Sequence, residues 1–133
     1  MRTMKRSFPS FFVDDVPATV DFYERAFGAV LDHAHDDGSY AELRLGDLML
    51  GLCAATEARR HLPVEFHPAD VTEPPGAFEL YLEVDDADEA ARRASEAGAA
   101  LLAPPVNKPW GNRVAYLRDP NGFTVEVASR LAP

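Results

Sequence analysis

Val13-Asp14-Asp15 closes a short apolar run that begins at Phe8, and the same triplet returns as Val84-Asp85-Asp86 at the end of the run from Phe78. Each copy precedes a helical stretch that stops near a glycine, Gly28 in the first and Gly98 in the second. An internal duplication of this kind decides the architecture before any local motif does. In the first copy Asp15 is placed to cap a helix and Pro17 to sit in its first turn, while Val16, Val20, Tyr23 and Phe27 share one helical face. In the second, Asp86 and Glu89 have capping-box spacing, and Ala87, Ala90, Ala91, Ala94 and Ala97 form a small-residue face that lets a helix lie close on strands.

Three strand-like segments follow each helix, at about 30–35, 40–45 and 48–52, then 100–103, 113–117 and 123–128. Asp36-Asp37-Gly38, Gly46-Asp47 and Asp119-Pro120-Asn121-Gly122 are the turns between them. The chain therefore reads βαβββ twice. The expected fold is α+β, one domain over residues 1–133, with modules at about 7–53 and 78–128 and a connection at 54–77. Pro63, Pro68, Pro74 and Pro75 make that connection read as a linker or a functional flap. A βαβββ half leaves one sheet face without a helix, so the two halves are expected to cup those faces around a shared concavity in a mixed sheet.

Composition narrows the function. Thirteen basic against 22 acidic side chains leave a net charge of −9, the wrong sign for following a phosphate backbone, so nucleic acid is not an expected partner. The same field favours a cationic small molecule over an anionic one. No apolar run approaches the ~20 residues that span a bilayer, and the opening Met1-Arg2-Thr3-Met4-Lys5-Arg6 leads into proline and acidic residues instead of a signal-peptide core. The single cysteine, Cys53, makes neither an internal disulfide nor a thiolate cluster and reads as a buried small hydrophobe, with the cytoplasm as the expected compartment.

Phe22-Tyr23-Glu24-Arg25-Ala26-Phe27-Gly28 early in the chain, and Pro109-Trp110-Gly111 followed by Leu117-Arg118-Asp119-Pro120-Asn121-Gly122-Phe123 late, resemble the vicinal oxygen chelate superfamily. Glyoxalase I, extradiol dioxygenases, fosfomycin-modifying enzymes and the bleomycin-resistance binding proteins belong to it. The resemblance runs from about Phe8 to Val127. It implies a glyoxalase/bleomycin resistance-like fold, and a twofold homodimer in which modules of different subunits complete each cup. Its metal enzymes hold a divalent ion with side chains from the first and last strands of each module. By register those positions here are Phe8, Gly51, Glu79 and Glu126, and phenylalanine and glycine offer no ligand atoms. A shift of two residues brings Ser10 to the first of them. No cofactor is expected, the alternative being a divalent metal with Glu79 and Glu126 as its candidate ligands. His33, His35, His61 and His67 read as surface or loop histidines.

Strand alternation turns the same positions into a list of inward-facing residues, since residues two apart share a face. They are Phe8, Ser10 and Phe12, then Met49, Gly51 and Cys53, and in the second module Glu79, Tyr81, Thr124 and Glu126. An apolar, aromatic wall carrying two carboxylates suits small-molecule capture. From the bleomycin-resistance branch, resemblance carries ligand-stacking roles to Trp110 and Tyr40. The expected function is non-catalytic binding and sequestration of an aromatic or cationic, antibiotic-like compound. The alternative is a divalent-metal lyase, isomerase or dioxygenase.

Overall fold

The computed structural model describes residues 3–133; Met1 and Arg2, at the head of the segment read for a leader, lie outside the described residues. The first half contains β1 (Ser10–Val13), α1 (Val16–Phe27), β2 (Val30–Ala34), β3 (Tyr40–Leu45), β4 (Leu48–Ala54) and α2 (Ala55–His61). The second contains β5 (Glu79–Glu83), α3 (Ala87–Ala97), β6 (Ala100–Asn107), β7 (Asn112–Arg118) and β8 (Thr124–Arg130). The α+β class and the doubled βαβββ order are those expected from the sequence. Two compact units are present: the described residues up to Glu24 with Gly28–Pro68, and Arg25–Phe27 with Ala69–Pro133.

Each unit builds its own four-stranded mixed sheet, ordered β1-β4-β3-β2 in the first and β5-β8-β7-β6 in the second. The strand before the helix pairs in parallel with the last strand of its module, and all other neighbours are antiparallel. Hairpin turns force the antiparallel pairs, whereas only a crossover can bring the parallel one together.

Alternation sorts the side chains in both sheets. In the first, Phe11 and Val13, Leu50 and Leu52, and Ala41, Leu43 and Leu45 are buried along one face. Each such leucine contributes about 1.5–3 kcal/mol by leaving water. In the second, Leu80, Val125, Val127, Ala115 and Leu117 are buried on the side where α3 packs through Ala87, Ala91 and Ala94. Two polar links fasten α3 to that side. The Ala87 N–H donates to Ser129 Oγ at 3.1 Å, and Arg113 grips Asp88 at 2.7 and 3.1 Å.

Both helix starts form as the sequence predicts. Asp15 accepts from the Ala18 N–H at 3.0 Å and Asp86 from the Glu89 N–H at 3.1 Å. The Glu89 carboxylate, however, binds Arg92, one turn along the helix. At the end of α1, Gly28 adopts φ 71°, and the N–H groups of Gly28 and Ala29 return to the carbonyls of Glu24 and Tyr23.

Two expectations need correction. Part of the segment read as a linker or a functional flap is helical: β4 runs to Ala54 and α2 follows at once. Glu57 sits in its first turn and pairs with Arg60 at 3.5 Å and His61 at 3.1 Å, while Ala55 and Ala58 are buried, so dipole, pairing and burial outweigh the nearby prolines. Strand β6 also continues past Ala103, through Pro104-Pro105, to Asn107. It is an edge strand, and its register with β7 shifts between Ala103 and Val106, which relieves the two missing N–H donors.

Candidate functional site

The face of the first sheet opposite Leu50 and Leu52 is set by the register Ser10↔Gly51↔Glu42 and Phe12↔Cys53↔Tyr40, with Met49 opposite Arg44. Phe8 precedes β1 in extended chain, where the Gly51 N–H reaches the Pro9 carbonyl at 2.9 Å. A Cβ on Gly51 would stand 2.5 Å from Ser10 Oγ and 2.9 Å from the Phe8 ring. Phe8 and Ser10 thus fill the space that any side chain at position 51 would need. Of Phe8, Ser10 and Gly51, only Ser10 offers a metal donor, its hydroxyl.

Beside them lies a polar cluster that the sequence reading missed in part. Arg6 stacks over the Phe8 ring at 4.8 Å and donates to Glu42 at 2.6 Å, and the Tyr40 hydroxyl donates to the other Glu42 oxygen at 2.8 Å. The donors from Arg6 and Tyr40 hold the Glu42 carboxyl below the ordinary range, whereas burial, then the bond to Glu42, pushes the Tyr40 phenol up to about 12. Glu42 was legible by alternation, two residues from Tyr40. Arg6 was not, because it precedes any regular element. Phe12 meets Phe66 of the connection at 4.9 Å, and Arg59 lies over Phe66 at 5.1 Å. Cys53 is half-buried where burial was expected, and its surroundings together with Glu57 push the thiol up, away from a reactive thiolate. All four histidines are exposed.

The second sheet carries the other candidates on the face turned away from α3. Cross-strand rows place Glu79 beside Thr124 and Arg118, and Tyr81 beside Glu126 and Tyr116. Glu126 is only 9% exposed, and Glu79 lies one row away on the adjoining strand and the same face. Burial first, then the neighbouring Glu79 carboxyl, pushes Glu126 up to about 7 against a smaller opposing pull from Lys108. Tyr116 is raised by burial, then by the charges of Glu126 and Glu79. Tyr81 is exposed and accepts from Asn112 Nδ2 at 3.4 Å. The structure therefore gathers Glu79, Glu126, Tyr81 and Thr124 and adds Tyr116 and Lys108 to them. Tyr116 was legible as the neighbour of Glu126 once strands 113–117 and 123–128 were paired; Lys108 carries no sequence signal.

Trp110 stands apart from these strands. It occupies the turn between β6 and β7, 61% exposed, with Lys108 Nζ 5.8 Å from its ring centre. Lys108 thus reaches both the tryptophan and the field at Glu126.

As a donor set for a divalent ion these positions are thin: Glu79 and Glu126 offer carboxylate oxygens, Phe8 and Gly51 at the corresponding positions of the first module offer none, and no three His, Cys, Asp or Glu side chains converge among the described residues.

The profile of the Glyoxalase/Bleomycin resistance protein/Dioxygenase superfamily matches residues 7–127. The chain belongs to this superfamily. Within the glyoxalase superfamily it is similar to CFP32 of Mycobacterium tuberculosis, a protein provisionally named a glyoxylase, with 40% identity over 53 residues. That match takes in 40% of this chain and only 20% of CFP32. A glyoxalase-related enzyme from Fulvimarina pelagi shares the fold at a TM-score of 0.80 and 20% identity, over 96% of this chain and 89% of that one. The fosfomycin resistance protein FosX of Mesorhizobium loti superposes at 0.66 with 18% identity, over 96% and 93% of the two chains.

Proposed function

We propose that this glyoxalase-superfamily chain is a non-catalytic binding protein that sequesters an aromatic, cationic small molecule of antibiotic type. One observation carries the reading: the neighbouring Glu79 and Glu126 carboxyls, Glu126 being buried, in register with Tyr81 and Tyr116 on the α3-free face of the second sheet. A carboxyl pair with one proton presents a single negative charge, and phenol rings beside it add stacking and cation–π attraction of about 0.5–1.5 kcal/mol per contact. Arrival of a ligand cation draws Glu126 toward its ionised form and so adds negative charge in the same place. The Phe8 ring packed over Gly51, where metal enzymes of the superfamily keep a ligand, supports binding over metal chemistry. The alternative, a divalent-metal lyase, isomerase or dioxygenase, lacks a converging donor set among the described residues.

The proposal includes Trp110 as an outer stacking residue and Tyr40, Phe8, Ser10, Phe12, Met49, Gly51 and Thr124 as further ligand-facing positions. It also includes a twofold dimer in the cytoplasm. Exposed Val30 and Leu31 on β2, and Leu101, Leu102 and Val106 on β6, support the dimer by leaving apolar side chains on both edge strands. No helix among the described residues is long and apolar enough to cross a membrane. The deciding experiment is fluorescence titration with planar cationic dyes and neutral isosteres, with and without chelator. Chelator-insensitive binding that prefers the cation is the expected result, and turnover abolished by the chelator would overturn the reading.

A further inference from the structure

Gly51 leaves room on the open face of the first sheet that any other residue would fill. A Cβ there would stand 2.9 Å from Phe8 Cε2 and 3.3 Å from Cδ2, so the missing side chain is what lets the Phe8 ring lie against β4. Glu42 stands opposite Gly51 in the β3–β4 register, and Tyr40, two residues earlier, shares its face. The Tyr40 hydroxyl donates to one Glu42 oxygen at 2.8 Å, which restrains the carboxylate and leaves its other oxygen for a second donor.

Ring and carboxylate together make a seat of particular shape. A planar cation can lie over the Phe8 ring and direct an N–H at Glu42 in the same pose, which a tetrahedral ammonium does less well. Arg6 adopts that pose. Its Cζ is 4.8 Å from the Phe8 ring centre, and Nη2 donates to Glu42 Oε1 at 2.6 Å. Arg44, two residues further along β3, pairs with Asp32 at 3.5 Å instead. The two partners are held with unequal firmness: the Glu42 side chain is 14% exposed on a paired strand, whereas that of Arg6 is 57% exposed in the stretch before β1. An exposed arginine gains little from such a bridge, because it gives up side-chain freedom to hold one pose. The seat is fixed and its occupant exchangeable.

We propose that Phe8, Glu42 and Tyr40 form a binding site for a guanidinium or amidinium group of an incoming ligand, and that Arg6 is an internal occupant which such a ligand displaces. This rests on the binding reading above in taking Phe8 and Tyr40 as ligand-facing, and deepens it by adding Glu42 and naming the cation. Arg6 then sets a threshold. If it fills the seat about nine-tenths of the time, apparent affinity is about tenfold below that of the site without it.

The test is an NMR titration with phenylguanidinium, following the signals of Tyr40 and Glu42, with phenylurea as neutral isostere and butylammonium as non-planar cation. Phenylguanidinium should bind there at least about tenfold more tightly than either. Arg6→Gln should tighten phenylguanidinium about tenfold, and Glu42→Gln, which keeps an acceptor for Tyr40, should abolish the preference over phenylurea. Lys5→Gln removes the same charge one residue away and leaves the seat occupied, so it should tighten binding by less than about twofold. A purely structural Arg6 predicts the reverse, weaker binding once the Phe8 ring loses its cover. Unchanged or weaker binding in Arg6→Gln would overturn the proposal, as would equal tightening in Lys5→Gln or shifts that bypass Tyr40 and Glu42. Tyr81 and Tyr116 report the second sheet in the same spectra, so silence there would overturn the reading of the carboxyl pair while the Arg6 result stands on its own signals.

Discussion

Glu126 on β8 and Glu79 on the neighbouring β5 occupy adjacent rows on the face of the sheet that α3 does not cover. Like charges this near oppose double ionisation. The following expectations start from this pair and extend to the supporting framework.

Glu126→Gln should alter the pH dependence of stability. Glu126 is raised in the folded chain to about 7 from an ordinary 4.5, so the stability it contributes is fully present below 4.5 and fades as pH rises through 7. Urea unfolding between pH 4.5 and 8 should show wild-type stability falling across this window and a flatter profile in the variant. Parallel profiles would rule out a raised Glu126.

The same substitution separates ligand classes. Removing the ionisable acid should weaken a planar cationic dye about tenfold or more and a neutral isostere by less than about twofold, the difference being the lost charge interaction. Equal weakening of both would argue against direct pairing with Glu126.

Trp110→Ala tests the outer stacking role. The ring is largely exposed, so folding should survive with a change within about 0.5 kcal/mol. Loss of aromatic stacking should raise Kd for the dye about three- to tenfold, read by calorimetry because the fluorophore is gone. An unchanged Kd would remove Trp110 from the site.

Gly51→Ala should destabilise the first module by about 1–3 kcal/mol, because the new Cβ meets both Ser10 Oγ and the Phe8 ring at under 3 Å. Pairing it with Phe8→Ala should recover part of the loss. Chemical denaturation of the single and double variants measures this coupling, and simple additivity would disprove the packing account.

Asp119→Ala addresses the Asp-Pro-Asn-Gly turn. Asp119 is 2% exposed and its Oδ1 accepts from the N–H groups of Asn121, Gly122 and Phe123 at 3.0, 2.9 and 2.9 Å. Leaving those donors without their acceptor should cost about 2–3 kcal/mol. Thermal unfolding reads the loss, and a neutral result would contradict a structural role for the motif.

Much of this architecture was written in local pattern. Asp15 and Asp86 announce their helices because a short side chain can satisfy free N–H groups only at a helix start. The alternation Phe78-x-Leu80-x-Leu82 and Phe123-x-Val125-x-Val127 set Glu79 and Glu126 apart from the apolar face of their strands, a property of the chain itself, whereas their joint placement in a site came from the family resemblance. Helix α2 escaped the reading although Glu57, Arg60 and His61 have helical spacing, because the burial of Ala55 and Ala58 that completes its support is a tertiary effect.

The sequence by itself determined the doubled βαβββ order, the caps, the turns and the side of each strand on which a residue sits, all consequences of short-range geometry. Only the tertiary structure decided which of those residues meet: Phe8 over Gly51, Arg6 on Glu42, Arg118 on the carbonyls of the connection, and Glu126 buried beside Glu79. The reason is physical. Contact and desolvation depend on how distant segments pack, and an acid's ionisation is settled by its neighbours in space.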